Sequence, residues 1–156
     1  MRTNILGICT ILLALATTQA AFAQNSNSIE GVWNVTVTVT NCQTGAPIRV
    51  VHAIQGFSHD GSFSETANTS LRGSSIGTWN HDGGDNYSAT YWFYRYTSTG
   101  AFASFAYAIN KEKLDDDGNH FTASGTIQDF DANGNLISIG CVVHSATRLA
   151  TSGQGN

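Results

Sequence analysis

The stretch GVWNVTVTVT, Gly31–Thr40, alternates apolar and polar residues over almost its whole length. Trp33 and three valines fall on one face of an extended chain, and one asparagine and three threonines fall on the other. A period of two in β-branched residues is the strongest signal for a half-buried strand. The stretch therefore predicts the first strand of an all-β domain, and we expect it to pair with the last strand.

The N-terminus has the composition of a secretory signal peptide. Arg2 supplies a positive start, residues 5–16 form a short apolar run, and Ala21-Phe22-Ala23 provides small residues at the cleavage positions. The apolar run is too short to cross a bilayer as a helix. We expect residues 1–23 to be removed near Ala23, and residues 24–156 to form a single secreted or periplasmic domain.

The charge of the mature chain excludes several classes of partner. Seven Lys and Arg residues, one of which is Arg2, stand against eleven Asp and Glu residues. A net charge of about −5 opposes binding to nucleic acid or to anionic membranes, because both need clustered basic residues. We therefore predict no nucleic-acid partner and no membrane partner.

The mature chain keeps two cysteines, Cys42 and Cys141. An even number of cysteines in an oxidising compartment favours a disulfide. Neither cysteine has a Cys or His neighbour at the spacing of a zinc site, so the sequence predicts no metal and no other cofactor.

Turn signals divide the rest of the chain into strand-like segments, and no segment after residue 30 has a convincing helical pattern. Asp-Gly and Asn-Gly pairs mark several of the turns, because glycine accepts the positive φ of tight hairpins. The predicted strands are 31–40, 48–57, 62–67, 77–81, 86–96, 101–113, 120–130 and 136–149.

Eight consecutive antiparallel strands favour a closed up-and-down β-barrel. An open meander would leave two long edges exposed to aggregation, and closure removes them. An eight-stranded barrel is filled by side chains or holds one small ligand. A β-sandwich is the main alternative, although its crossovers need longer connections than most of those found here.

Closure would pair the first strand with the last. If Cys42 lies opposite Cys141, Val39 faces His144 and Val35 faces Arg148, and the outer face carries mostly hydroxyl groups. Arg148 is then diagonally adjacent to Trp33 at one end of the barrel.

Gly31-x-Trp33 on the first strand and Arg148 near the end of the last resemble the lipocalin and wider calycin pattern. The resemblance implies an eight-stranded barrel in which the tryptophan plugs the closed end and the arginine packs across it. The resemblance covers the topology of the whole mature chain.

Two histidines are candidates for the interior. His144 falls on the inner face in the register above. His52 does so if Val50 and Ile54 line the inside, because the opposite phase would bury Arg49 and Gln55. The two imidazoles are then satisfied core residues, hydrogen-bonding contacts to a ligand, or metal ligands without an evident third partner.

Glu65 and an aromatic strand are further candidates for ligand contacts. Glu65 is either an exposed strand residue, which the sequence favours, or an inward carboxyl with a raised pKa that could act as a general acid. Residues 91–96 are aromatic on both faces, and the sequence leaves open which face lines the interior. Tyr91 and Phe93 are candidate cavity walls, and whichever face is outside predicts a homo-oligomer contact or a carbohydrate platform.

The segment 129–135 resembles the first half of an EF-hand loop, but Gly140 stands where the bidentate glutamate is required. A polar hairpin turn is the better interpretation.

The leading hypothesis is a barrel that binds a small lipophilic molecule without catalysis. Topology places the loops at 41–47, 68–76, 97–100 and 131–135 at the end opposite Trp33, where we expect the opening, covered by residues 68–76. The alternatives are a cyclase- or isomerase-type enzyme with its reaction in the barrel cavity, and a structural or interaction protein with a filled core.

Overall fold

The computed structural model describes residues 28–149 of the 156-residue chain, and its regular elements are all β-strands. They are β1 Gly31–Thr40, β2 Pro47–Phe57, β3 Ser62–Ala67, β4 Ser75–Gly83, β5 Asn86–Tyr96, β6 Phe102–Leu114, β7 His120–Phe130 and β8 Leu136–Arg148. No helix in this part of the chain is long and apolar enough to cross a membrane. The predicted signal peptide lies outside the described residues.

The eight strands form one closed antiparallel barrel in which each strand pairs with its sequence neighbours and β8 pairs with β1. The prediction of an all-β, eight-stranded, up-and-down barrel is confirmed, and the strand bounds lie within two residues of those predicted. The sandwich alternative is wrong, because a single sheet closes on itself.

The register between β1 and β8 differs by two residues from the predicted one. His144 pairs with Val37 rather than Val39, and Arg148 pairs with Trp33 rather than Val35. Because side chains alternate with a period of two, this shift leaves every residue on its predicted face. Cys42 lies just beyond the end of β1 and forms a disulfide with Cys141, with the two Cα atoms 5.2 Å apart.

Trp33 and Arg148 close one end of the barrel. Trp33 is fully buried, and its indole nitrogen donates a hydrogen bond to the carbonyl of Ile29 over 2.8 Å. The Arg148 guanidinium lies 4.2 Å above the Trp33 ring and donates to the carbonyls of Ser28, Glu30 and Gly118. One cation therefore joins the segment before β1 to the turn before β7.

The phase of β2 is opposite to the predicted phase. Gln55 is buried inside the barrel, whereas His52 is exposed on the outer face, where its ring lies 3.5 Å from the hydroxyl of Thr36. The prediction assumed that turning Arg49 and Gln55 inward is costly. Gln55 instead finds a buried hydrogen-bond partner, and Arg49 stays exposed at the rim, so neither cost arises.

The aromatic strand β5 divides between the two faces of the sheet. Tyr91 and Phe93 are buried inside the barrel, whereas Trp92 and Tyr94 are 46% and 59% exposed outside it. The outer side chains border a groove of about 410 Å³, and we call this surface the aromatic face. The lining residues of the groove are Ser74, Ile76, Trp92, Phe93, Tyr94 and Phe105.

We predict that Arg148→Ala lowers the free energy of unfolding by about 2–4 kcal/mol, because three charge-assisted hydrogen bonds and one cation–π contact are lost together. Urea unfolding of the purified protein measures the change. Lys113→Ala, at an exposed position near the same end, is the control and should change stability by less than about 0.5 kcal/mol. Equal stability of the two variants would contradict the role given to Arg148.

Candidate functional site

The two ends of the barrel differ in their connections. The end opposite Trp33 carries the connections at 41–46, 68–74, 97–101 and 131–135, and that at 68–74 is the longest of the described chain. The predicted grouping of loops therefore follows from the observed strand order. We call this end the open end.

A depression of about 260 Å³, which we call the vestibule, lies at the open end between the first residues of β2 and β8 and the last residues of β1 and β7. Its walls are mainly aliphatic, with charged groups among them. The lining residues are Val39, Ile48, Arg49, Arg95, Ile127, Asp129, Ser138, Ile139, Gly140 and Val142. Its size is just below the roughly 300–1,000 Å³ typical of ligand pockets.

Below the open end, Glu65 points into the barrel and is 2% exposed. The expectation of an exposed glutamate is therefore wrong. Gln55 donates to one carboxylate oxygen over 2.7 Å, and Ser75 donates to the other over 3.2 Å. Arg72 forms an ion pair with the second oxygen and also donates to the Ser75 hydroxyl. Four polar groups from two strands, the start of a third and a loop thus pair both carboxylate oxygens, as a buried charge requires, and leave the Arg72 Nε without a partner among the described residues.

Arg72 reaches this position because its loop is fastened to β5. The carbonyl of Tyr94 accepts from the amide of Gly73, and the amide of Tyr96 donates to the carbonyl of Leu71, each over 2.9 Å. The Arg72 guanidinium lies 3.6 Å above the Phe93 ring. The predicted cover at 68–76 therefore consists of a loop whose central arginine is anchored inside the barrel, and its last two residues belong to β4.

The space directly beneath this loop is small. It measures about 30 Å³, enough for about one water molecule, and Arg72, Phe93 and Val37 are among its lining residues. Deeper in the barrel, Phe63 and Tyr91 stack with ring centroids 4.6 Å apart. A molecule larger than water can pass from the vestibule to the interior only if Arg72 or its neighbours move.

His144 lies on the inner face of β8, two residues below the vestibule wall at Val142, and is 4% exposed. Neither ring nitrogen has a hydrogen-bond partner among the described residues. Burial lowers the pKa of His144 to about 4; the Glu65 carboxylate opposes the shift and Arg72 adds to it. The imidazole is therefore neutral at pH 7, with one nitrogen able to donate and the other able to accept.

Glu65, Tyr91, Phe93 and His144, four of the five residues predicted to contact a ligand, share the interior, whereas His52 lies outside. Burial raises the pKa of Tyr91, and the charge of Glu65 raises it further. The prediction of two inward histidines is wrong, so the interior has one histidine beside an ion pair.

Sequence reasoning missed two interior polar residues of β6. Asn110 is 1% exposed and donates to the Tyr91 hydroxyl over 3.0 Å. Glu112 is buried, and burial raises its pKa to about 7. The alternation of Ala106, Ala108, Asn110 and Glu112 with outward residues was the available signal.

The acidic turn before β8 forms its own hydrogen bonds. Asp131 accepts from the amides of Asn133 and Asn135, and Asp129 pairs with Arg95. This is the predicted polar hairpin turn. Across residues 28–149, no group of three or more His, Cys, Asp or Glu side chains is placed to hold a metal ion.

Comparison with known proteins adds no assignment. No protein-family model, no curated protein and no solved structure matches this chain. The fold and the site therefore stand on their own geometry.

We predict that His144→Leu makes the protein less sensitive to acid. The folded-state pKa of about 4 lies below the unfolded value of 6.5, so the unfolded state binds more protons between these values, and wild-type stability falls as pH drops from 6.5 to 4. The full effect is about 3 kcal/mol. Urea unfolding at several pH values measures it.

The control is His52→Leu, because His52 is exposed and should leave the pH dependence unchanged. If His144→Leu kept the wild-type slope between pH 6.5 and 4, the imidazole would not be buried as a neutral group.

Proposed function

We propose that this chain is a secreted or periplasmic, lipocalin-like barrel of the calycin type that binds one small lipophilic molecule through its open end. The molecule is uncharged or weakly acidic. The observation that carries the proposal is His144, a buried neutral imidazole without a hydrogen-bond partner among the described residues, below a mostly aliphatic vestibule.

The chemistry of His144 supports a ligand with a polar atom. Leaving a buried polar group unpaired costs about 1–3 kcal/mol, and a hydroxyl or carbonyl brought in by a ligand would recover that cost. The aliphatic walls supply the rest of the affinity through burial of apolar surface, at roughly 25 cal/mol per Å². The ligand would therefore present an apolar body to Val39, Ile127 and Val142 and a polar group to the imidazole.

The surroundings of Glu65 favour binding over catalysis. A general acid or base must be free to exchange a proton with the substrate. Glu65 already accepts from Gln55, Ser75 and Arg72, and the second histidine that was expected inside, His52, lies outside the barrel. Glu112 is an interior carboxyl whose pKa is raised to about 7, but it lies two residues from the end of β6 at the closed end, opposite the vestibule, and so does not support an enzyme with its site at the open end.

The closed end and the disulfide support the wider proposal. Arg148 over Trp33 is the contact that the calycin resemblance implies. The Cys42–Cys141 disulfide suits an oxidising compartment outside the cytosol.

We predict that His144→Ala weakens the binding of dodecanol by roughly tenfold, because a hydrogen bond in a buried site is lost. A fluorescence or calorimetric titration of a hydrophobic panel that includes dodecane, which has no polar atom, measures the effect. Dodecane affinity should change far less than dodecanol affinity.

His52→Ala is the matched control on the outer face and should bind like the wild type. Equal affinity of all three proteins for dodecanol would remove His144 from the site, and failure of the wild type to bind any member of the panel would reject the proposed function.

We also propose that two copies associate through the aromatic face. Ile76 is 73% exposed there, and large exposed apolar surfaces commonly mark interfaces. The groove lies beside the Tyr94 ring, which packs edge-on against Phe102. Tyr94 and Phe102 form a ridge beside the groove. A groove and a ridge on one surface suit a twofold contact, in which the groove of each copy receives the ridge of the other.

We predict that Trp92→Lys converts this dimer to a monomer, because a charge is buried at the contact. Sedimentation equilibrium of wild type, Trp92→Lys and the control Thr122→Lys, an exposed outer-face position near the closed end, tests it. A monomeric wild type at high micromolar concentration would reject self-association and leave the ligand site untouched.

A further inference from the structure

Half of the basic residues in the described part of the chain lie at the open end. Of the seven Lys and Arg residues of the sequence, six lie in the described part of the chain. Three of these six, Arg49, Arg72 and Arg95, line the small space beneath the 68–74 loop, and two of them also line the vestibule. Cations gathered at an opening raise the local concentration of anions.

Two of the three arginines are neutralised by carboxylates of the protein. Arg72 pairs with Glu65, and Arg95 makes a two-pronged contact with Asp129. Both guanidinium groups lie over the Phe93 ring, at 3.6 and 5.0 Å from its centroid. Their separation is therefore within about one Debye length at 0.1 M salt (~10 Å), where like charges repel. The two carboxylates offset this repulsion.

Arg49 has no such partner. It lies on the rim, in register with Val39, and forms no ion pair and no side-chain hydrogen bond among the described residues. The other nearby carboxylate, Asp131, is bonded within its own turn. Asp131 keeps its negative charge, so the open end has three cations and three carboxylates, but Arg49 is the lining cation of the vestibule that forms no ion pair among the described residues.

The surface beside Arg49 is apolar. Val142 is 2% exposed and Ile127 is 8% exposed, and both belong to the inner face of the barrel. Ile48 and Ile139 extend the wall outward to the solvent. One free guanidinium at the edge of an aliphatic surface matches a molecule with an anionic head and an aliphatic chain.

We propose that Arg49 is the anion subsite of this opening and that the natural ligand is an aliphatic carboxylate. The carboxylate head pairs with the Arg49 guanidinium at the rim, and, once Arg72 and its neighbours have moved to open the interior, the chain lies along Val39, Ile127 and Val142 toward His144. A second polar group at the inner end of the chain meets the imidazole. This inference rests on the proposed function and narrows its ligand to an acid.

The strand register sets the length of the chain. Val39 pairs with both Arg49 and Val142, and His144 lies two residues beyond Val142, roughly 7 Å along β8; with two strand spacings of about 4.8 Å, the Cα atoms of Arg49 and His144 are roughly 12 Å apart. A saturated dodecyl chain covers this distance, so dodecanoate, dodecanol and ω-hydroxydodecanoate are suitable probes. The first has only the head for Arg49, the second only the hydroxyl for His144, and the third has both.

The experiment is a titration of the three probes, each below its micelle-forming concentration, against wild type, Arg49→Gln, Arg49→Lys and the control Lys113→Gln. Wild type should bind ω-hydroxydodecanoate roughly fivefold more tightly than dodecanol, which corresponds to about 1 kcal/mol for an exposed ion pair. Arg49→Gln should abolish this preference and weaken the binding of dodecanoate, without altering the affinity for dodecanol. Arg49→Lys should retain most of the preference for ω-hydroxydodecanoate, and Lys113→Gln should retain all of it. The preference should shrink as salt rises.

Several results would overturn the inference. Equal binding of ω-hydroxydodecanoate and dodecanol by the wild type would leave the proposed function standing and remove the anion subsite. Arg49 would not pair with the carboxylate head if the Arg49→Gln variant still preferred ω-hydroxydodecanoate over dodecanol. The same conclusion would follow if this variant lost as much affinity for dodecanol as for dodecanoate. If the wild type bound none of the probes, the proposed function and this inference would fail together.

Discussion

A carboxylate buried inside the barrel is the constraint on which the open half of this structure depends. Removing an ion from water costs several kcal/mol unless its oxygens are paired, so Glu65 must be surrounded by donors. Gln55 from β2, Ser75 from β4 and Arg72 from the connecting loop fill that role. Gln55 can do so only if β2 turns its odd-numbered residues inward, which places His52 outside. The Glu65 carboxylate thereby favours the observed phase of β2 and holds the 68–74 loop over the end of the barrel through Arg72.

The two ends of the barrel follow different physical rules. At the closed end, the rings of Trp33 and Phe57 each pack edge to face against Phe121. Arg148 donates hydrogen bonds to backbone carbonyls there, and the filled core stabilises the fold. The exposed turns there are acidic, as in Asp115-Asp116-Asp117. At the open end the arginines gather around aliphatic walls. The net negative charge of the chain does not show this difference between the two ends: at the open end three arginines stand beside three carboxylates. An aliphatic acid can therefore approach Arg49 although the chain as a whole is acidic.

The sequence predicts features that depend on the alternation of residues along a strand. Alternation does not predict features that depend on a contact between two particular side chains from different strands. Strand positions and closure follow from alternation and turn chemistry, whereas the Trp33–Arg148 contact follows from the assumed opposition of Cys42 and Cys141 and from the lipocalin resemblance. A two-residue error in the β1–β8 register changed no side chain's face because the period is two. The prediction that His52 points inward is wrong. It rested on the free-energy cost of burying Gln55, and that cost depends on a hydrogen-bond partner, Glu65, that alternation cannot identify. Glu112 shows the converse: its alternation with Ala106, Ala108 and Asn110 indicates an inward position, whereas its residue type favours an exposed one.

The central claim is that a lipophilic molecule enters beside Arg72 and reaches His144. A crystal structure of the protein grown with dodecanol tests it most directly. The account predicts a bound molecule whose chain lies along Val142 and whose hydroxyl is within hydrogen-bonding distance, about 2.7–3.2 Å, of a ring nitrogen of His144. Dodecanol ordered only on the aromatic face at Trp92, with Arg72 still paired to Glu65 and the interior unchanged, would contradict the claim.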